Sequence, residues 1–520
     1  MERKWRVLTV VCIAVFMLLL DITVVNVALP NIQKDLHTSF TDLQWVVDAY
    51  ALTLAATMLN AGSLGDLLGR KRVFLVAITL FTLGSALCGA ADSPLFLILA
   101  RGVQGIGGAG MFAVSLALIS QEFHGRERGT AFGIWGATVG MAVAIGPLVG
   151  GALTTYAGWR WIFFINVPIG VAVVAGGIYE LHESRNEEAG GFDLPGFLTL
   201  TSGLFALVIA LFRGSDWGWS SGRIIGLIAA AAVLLVAFAF IELRQRSPMF
   251  DFHLFRVPTF AGAQTTAFAI SAGMFSMFLF LAIYLEGVLG NSAVRTGVLF
   301  LPLSLVSFVV APLAGRLSAR FPVRIFLGGG LALVGVALLL MHGLTLLSTA
   351  SHLMPGFIVG GIGVGLVNAP LAATAVSVVA PQRAGMASGI NNTFRQVGIA
   401  TGIAALGAIF VNRITSAVAP ITSPLFTGGG PAPTVYHDQL AAFGRIWVQR
   451  IAAGRLEPPN IPGIRVPPGA TAWFARSAFI NGLNSILYIA AFVLFAGAIL
   501  AFLLVREKDF VVSGPAPAGH

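Results

Sequence analysis

The chain alternates long apolar runs with short polar breaks, and the runs have the length of membrane-spanning helices. About 20 predominantly apolar residues cross a bilayer as an α-helix. Fourteen such segments are legible. Six cover 7–29, 45–64, 73–91, 95–119, 131–153 and 161–179. A polar stretch at 180–193 interrupts them, and two more follow at 194–212 and 224–242. The last six lie at 260–285, 296–317, 323–342, 353–379, 387–411 and 479–505. The six, two, six pattern predicts an all-α membrane protein. It divides into a six-helix unit over 1–182, a linker with two inserted helices over 183–250, a second six-helix unit over 251–505 and a tail over 506–520. The first run, after Met-Glu-Arg-Lys-Trp-Arg, resembles a signal peptide with a weak cleavage site at 26–28. The apolar run resumes beyond Asp21, so a first spanning helix is expected.

The loop over 412–476 is rich in Pro and Gly, which argues against a packed domain. Within it Leu440, Phe443, Trp447 and Ile451 recur at helical spacing, with Arg445 and Arg450 off that face. The segment reads either as a short helix lying on the outer membrane surface or as an irregular loop.

Composition narrows the class. The 520 residues are 57% hydrophobic and 10% charged, where soluble domains carry about a quarter charged residues. A soluble enzyme is excluded, because no globular surface covers that much apolar area. The formal net charge is +9. With both termini placed in the cytoplasm, the inside segments carry eighteen Lys and Arg and the short outside loops five. The basic balance is therefore a topology signal rather than a nucleic-acid surface. Cys12 and Cys88 sit in apolar runs, so neither a disulfide framework nor a metal cluster is expected. None of the lysines (Lys4, Lys34, Lys71, Lys508) follows a glycine, which removes a Walker A site and with it ATP hydrolysis by this chain. Neither a cofactor nor a metal is expected.

Charge inside the spans is scarce and costly, so the few intramembrane ionisable residues are the functional candidates. Asp21 lies about two-thirds along the first apolar run, behind Leu18, Leu19 and Leu20. It reads as a titrating carboxyl, or as one fixed structurally to Thr23 or Asn26. Arg101, several residues into the fourth helix, needs a carboxylate, carbonyls or water, as a coupling element or a structural ion pair. Asp48 and Glu286, near the outer ends of their helices, are possible substrate or second proton sites, or interfacial residues reaching water. Arg395, well inside the thirteenth span, is a further possible substrate or second proton site, open to pairing with a carboxylate across the bundle or to a role in alternating access. Gly62, Gly65 and Gly69 surround Asp66 and Arg70 at the cytoplasmic edge, where Asp66 with a nearby Arg can form a latch that breaks as two halves rock. A weaker copy, Gly315 to Arg324, has Ala319 where the first has Asp66. Gly136, Gly140, Gly146 and Gly150 put small residues at spacing four on the fifth helix, and Pro147 removes a backbone donor there.

Several stretches together resemble one family. They are Leu20 to Pro30, Gly62 to Arg72, Arg101-Gly102-Val103-Gln104-Gly105-Ile106-Gly107, Gly146-Pro147-Leu148-Val149-Gly150-Gly151, Trp159 to Gly170 and Asn391 to Gly398. In that order and at those places they resemble the fourteen-helix drug:proton antiporters of the major facilitator superfamily. The resemblance implies two six-helix bundles facing a central cavity, with the seventh and eighth helices inserted between them. It implies an exporter of drugs, dyes and antibiotics driven by proton influx, with Asp21 and Arg101 in coupling, Asp66 and Arg70 in gating, and Gly146, Pro147 and Gly150 shaping helix five. The expected partners are a small amphipathic or cationic substrate, protons and the lipid bilayer, with no nucleic acid and a monomeric state. An exporter dedicated to one metabolite, antibiotic or lipid, and a non-transporting membrane sensor or scaffold, are the competing readings.

Overall fold

The computed structural model describes residues 2–38, 40–123, 125–185, 193–245, 248, 250–422, 443–444, 446–458 and 470–510. Helices account for the apolar runs because lipid offers no partner for backbone N–H and C=O groups, and a helix satisfies them internally. The first unit consists of α1 (Arg3–Asp35), α2 (Phe40–Leu68), α3 (Arg70–Gly89), α4 (Pro94–Glu122), α5 (Gly125–Tyr156) and a sixth span broken at Ile165 into α6 (Trp161–Phe164) and α7 (Asn166–Glu180). The inserted pair is α8 (Leu194–Trp217) and α9 (Gly222–Glu242). The second unit begins with α10 (Pro258–Ile270) and α11 (Ser276–Ile283), joined by a π-helical turn at Ser271–Phe275 and followed by another at Tyr284–Val288. It continues with α12 (Ala293–Leu317), α13 (Val323–Met341), α14 (Met354–Ser377), α15 (Ala384–Thr422) and α16 (Ala470–Leu504).

Thirteen helices among the described residues are long and apolar enough to cross a membrane. α5, with 32 residues, has the length of a further span. Two helices outrun their apolar stretches: α15 continues to Thr422 and α16 starts at Ala470, so the expected 412–476 loop is helical at both ends. Hydropathy registers only the lipid-facing length of a helix, whereas its hydrogen-bond ladder propagates beyond the hydrocarbon.

Each unit has its own apolar core. One set of buried side chains is drawn mainly from the first unit, including Phe74, Phe81, Phe132 and Trp135, and is joined by Ala372, Val376 and Ala384 of the second. Another is drawn from α10 to α16, including Met274, Phe357, Phe410 and Phe479. The α8–α9 pair is not peripheral: Leu200 and Leu204 of α8 pack with Ala56 and Leu59 of α2 and with Ile390 of α15, bridging both units. The Asn60 amide donates to the Thr201 hydroxyl at 2.6 Å across the same contact.

The helical spacing within the 412–476 segment corresponds to a helix, but one facing protein rather than lipid headgroups. Phe443, Trp447 and Ile451 are buried in the core of the second unit, and the Trp447 ring lies 5.7 Å from that of Phe474. An apolar face recognises any apolar surface, so sequence alone could not separate the two destinations. Leu440 and Arg445 lie outside the described residues.

Candidate functional site

The chain ends and the polar helix ends gather at one edge of the bundle. Arg3 donates to Glu122 at the end of α4, and Arg6 to Glu180 at the end of α7. The Thr259 hydroxyl donates to Asp509 at 2.7 Å, and the Arg506 backbone N–H donates to Thr259 at 2.7 Å. This terminal edge is the reference for depth in the bundle.

Asp21 stands near the middle of α1, far from the terminal edge. It is 0% exposed, and Arg101 of α4 is 1% exposed. Arg101 Nη1 donates to Asp21 Oδ2 at 2.5 Å, Gln104 Nε2 donates to Oδ1 at 2.9 Å, and Asn166 Nδ2 donates to Oδ1 at 3.1 Å. The carboxylate is thus saturated by a charge and two amides from α4 and α7. Arg101 also donates to Gln104 Oε1 at 2.7 Å and to the Val46 carbonyl at 3.2 Å, and its guanidinium lies 4.1 Å from the centre of the Tyr50 ring. Asn166 is held in turn by Ser85. The helical pitch accounts for the register: Arg101 and Gln104 are three apart on α4, so both reach the same face.

The structure gives Asp21 and Arg101 each other as partners. Thr23 is not its partner, since that hydroxyl donates back to the Leu19 and Leu20 carbonyls. The Asn26 side chain lies outside the described residues. Gln104, Asn166 and Tyr50 are the members of the network that sequence reasoning did not single out. Gln104 and Asn166 stand inside stretches already noted for their resemblance, and that was the signal available. The contribution of Tyr50 depends on how α2 packs on α4, which one sequence does not show.

Asp66 and Arg70 form a second buried pair, at 6% and 5% exposure, and this one spans the two units. Arg70 donates twice to Asp66 Oδ1, at 3.0 and 2.8 Å. The same carboxylate accepts the backbone N–H of Gly385 at 3.0 Å and of Met386 at 2.7 Å. Those are first-turn donors of α15, which have no partner inside their own helix. Asp66 therefore caps a helix of the opposite unit, where its negative charge also meets the positive end of the helix dipole. Arg70 Nη2 donates to the Pro381 carbonyl at 2.6 Å, adding a second bond across the seam. Gly62 is required here, because a Cβ would collide with the Gly385 carbonyl. Gly69 adopts φ +110°, which favours glycine, and a Cβ there would run into the Glu183 carboxylate. That carboxylate accepts the N–H groups of Lys71 and Arg72. Asp251, between the inserted pair and α10, ties the same edge through Arg383 at 2.6 Å and His253 at 3.0 Å. Burial works against its charge, but the His253 and Arg383 hydrogen bonds hold its carboxyl below the ordinary carboxylate range.

The small-residue face of α5 divides in two. Cβ atoms at Gly146 and Gly150 would strike Thr23 and Val24, so α1 and α5 cross there in backbone contact. Around Gly136 and Gly140 the nearest atoms would be 3.4 and 3.6 Å away, which is ordinary contact, against Ala369 and Ser307 of the second unit. The Pro147 side chain lies outside the described residues.

The remaining candidates separate. Asp48 is paired with Arg213 of α8 at 2.9 Å, and the Arg213 guanidinium lies 4.5 Å from the Trp45 ring centre. Arg213 counts as a loop residue by hydropathy, yet its side chain is 4% exposed. Glu286 is exposed in the π-helical turn at the end of its span, beside the contact of Gly287 with Gly454. Arg395 does not meet a carboxylate among the described residues. Its Nη1 donates to the Asn368 amide oxygen at 3.2 Å.

The sequence matches the Major Facilitator Superfamily over residues 11–403. It is 37% identical to "Multidrug resistance protein Stp" of Mycobacterium tuberculosis, over 80% of this chain and 78% of that protein. It is 33% identical to the "Tetracenomycin C resistance and export protein" of Streptomyces glaucescens, over 98% of this chain and 93% of that protein. The fold is similar to the crystal structure of the human organic anion transporter MFSD10 (TETRAN), with a TM-score of 0.59 at 14% identity, covering 95% of this chain and all of that one. With an inserted helix pair and a buried ion pair, Asp66 with Arg70, that bonds the first helices of one unit to α15 of the other, this multi-pass membrane protein belongs to the Major Facilitator Superfamily of transporters.

Proposed function

We propose that the chain is a proton-coupled antiporter that exports small amphipathic or cationic compounds across the cytoplasmic membrane by alternating access. α5 is read as the fourteenth span, both termini as cytoplasmic and the protein as a monomer. The units are read as 1–182 and 251–505, joined by 183–250, with 506–520 as the tail. The observation that carries the proposal is the fully buried Asp21–Arg101 pair in spanning helices. Protonating Asp21 turns a neutral pair into a lone buried cation, so a proton changes the energy of this state by several kcal/mol. Release of the Asp66 cap at the seam opens the terminal edge and exposes the space between the units. The relatives named for multidrug resistance and for tetracenomycin C resistance and export support the direction and kind of cargo. A proton moving down 100 mV releases about 2.3 kcal/mol, and each pH unit about 1.4 kcal/mol. Together these drive a neutral solute several-hundredfold uphill, at about tenfold per 1.4 kcal/mol.

The test is dye accumulation in everted vesicles with an acidic lumen. Substrate-dependent alkalinisation of the lumen supports the reading, and its absence across a broad compound panel overturns it. A second reading, an exporter dedicated to one compound, is favoured by the almost full-length relative named for a single antibiotic. In that case a single compound class in the panel moves protons.

A further inference from the structure

Among the described residues, two charged pairs are buried in the spans or at their ends and a third is half-buried, and Arg395 stands apart from them. Asp21 meets Arg101, Asp66 meets Arg70 and Asp48 meets Arg213. Arg395 is 7% exposed, and no described carboxylate lies within ion-pair distance of it. Its Nε and Nη2 have no hydrogen-bond partner. The one bond it makes, to Asn368, leaves the Asn368 Nδ2 donors also without a partner. An isolated buried guanidinium with orphaned donors costs several kcal/mol, and water or an amide oxygen recovers only part of that.

The position is as informative as the charge. Arg395 lies well inside α15, roughly three helical turns from its start at Ala384. Asn368 packs against Gly136 of α5, where even an added Cβ would sit 3.6 Å from the Asn368 Cβ. The orphaned donors therefore stand beside the seam between the two units, which alternating access opens. One turn before Arg395 on the same helix, Asn391 is buried against Gln264 of α10. They bond each other at 3.1 Å and leave Gln264 Nε2 and Asn391 Oδ1 unpartnered.

We propose that Arg395 and Asn368 form a subsite for an anionic oxygen group of the transported compound, a carboxylate or an ionised phenol. Three unpartnered donors on two adjoining side chains, two of them on a guanidinium, match an oxyanion and repel a cationic amine. An amphipathic cation that also bears a carboxylate satisfies both this subsite and the general cargo class. The inference rests on the exporter reading and sharpens its substrate class.

The probes are rhodamine B, which carries a free carboxylate, and its ethyl ester, which does not. Binding is measured by fluorescence anisotropy with the full chain in nanodiscs, without any gradient. The wild type binds the acid more tightly than the ester. Arg395→Gln weakens the acid by about tenfold or more, as expected for losing a hydrogen bond to a charged group, and shifts the ester by less than about threefold. Arg395→Lys keeps a preference for the acid. Ester binding reports that each variant is folded. Equal binding of both dyes by the wild type, or equal losses of both in Arg395→Gln, overturns the subsite. If Arg395→Gln loses all binding, a wild-type acid-over-ester preference that is absent in Asn368→Leu upholds the subsite, and one that is unchanged there overturns it. Because binding needs no proton gradient, failure of the subsite is distinguishable from failure of proton-driven export, which the vesicle assay reads.

Discussion

Replacing Asp21 with Asn separates proton coupling from structure. The substitution is nearly isosteric and removes one charge. It leaves Arg101 with the Gln104 oxygen at 2.7 Å, the Val46 carbonyl at 3.2 Å and the Tyr50 ring at 4.1 Å. Removing one partner of a buried ion pair costs about 3–5 kcal/mol. A proton entering under 100 mV and one pH unit carries about 3.7 kcal/mol. The two are of the same size, and because the pair re-forms in every cycle its cost is returned, leaving the proton's free energy available for transport. Asp21→Asn imitates the protonated state permanently and removes the switch. In proteoliposomes, uphill dye transport driven by an imposed pH gradient falls by at least about tenfold, the equivalent of about 1.4 kcal/mol. Dye counterflow without a gradient persists and loses its pH dependence. The double variant Asp21→Asn with Arg101→Gln regains thermal stability relative to Asp21→Asn, because no lone charge remains, yet stays uncoupled. Wild-type uphill transport in Asp21→Asn refutes the assignment of Asp21 as the obligatory carrier. A double variant that regains coupling together with stability refutes the separation of the two roles.

Three further outcomes follow from the geometry. Asp66→Asn weakens the cap on α15, a loss of about 1–3 kcal/mol for a buried charged acceptor; labelling of Ala387→Cys by a membrane-impermeant maleimide applied to everted vesicles speeds up at least about fivefold, and an unchanged rate rejects the latch. Gly146→Ala drives a methyl into the Thr23 hydroxyl and lowers thermal stability by about 1–3 kcal/mol, with part of the loss recovered by Thr23→Ala, whereas wild-type melting shows that α1 and α5 do not cross in close contact. The Asp251 carboxyl is held low by His253 and Arg383, so its stabilising contribution is complete above the ordinary carboxylate value of about 3.9 and is lost as pH falls through its lower folded value. Asp251→Asn therefore lowers the melting temperature at neutral pH and flattens its fall in acid, and a parallel acid profile rejects this assignment.

Much of the molecule was determined by the chain alone. The apolar runs dictate helices, because lipid forbids unpaired backbone groups. Six runs, then two, then six outlined the units. The scarcity of charge drew attention to Asp21, Arg101 and Arg395 before any contact was known, and Gly62 and Gly69 marked a connection where only glycine fits. These are local properties, readable from composition and periodicity.

The partners were decided only by tertiary structure. Asp21 and Arg101 are 80 positions apart, and Asp66 reaches its α15 amides across 319 and 320 positions. Hydropathy assigned Arg213 to a loop, and packing of α8 on α2 buried it against Asp48. The partner of Arg395, open between alternatives in the sequence, is an amide among the described residues, and the amphipathic stretch at Phe443 to Ile451 chose a protein core over the membrane surface. The physical reason is common to all four. Solvation sets which side chains leave water and is written residue by residue, whereas which group meets which depends on how distant helices cross, and a single sequence carries no record of those crossings.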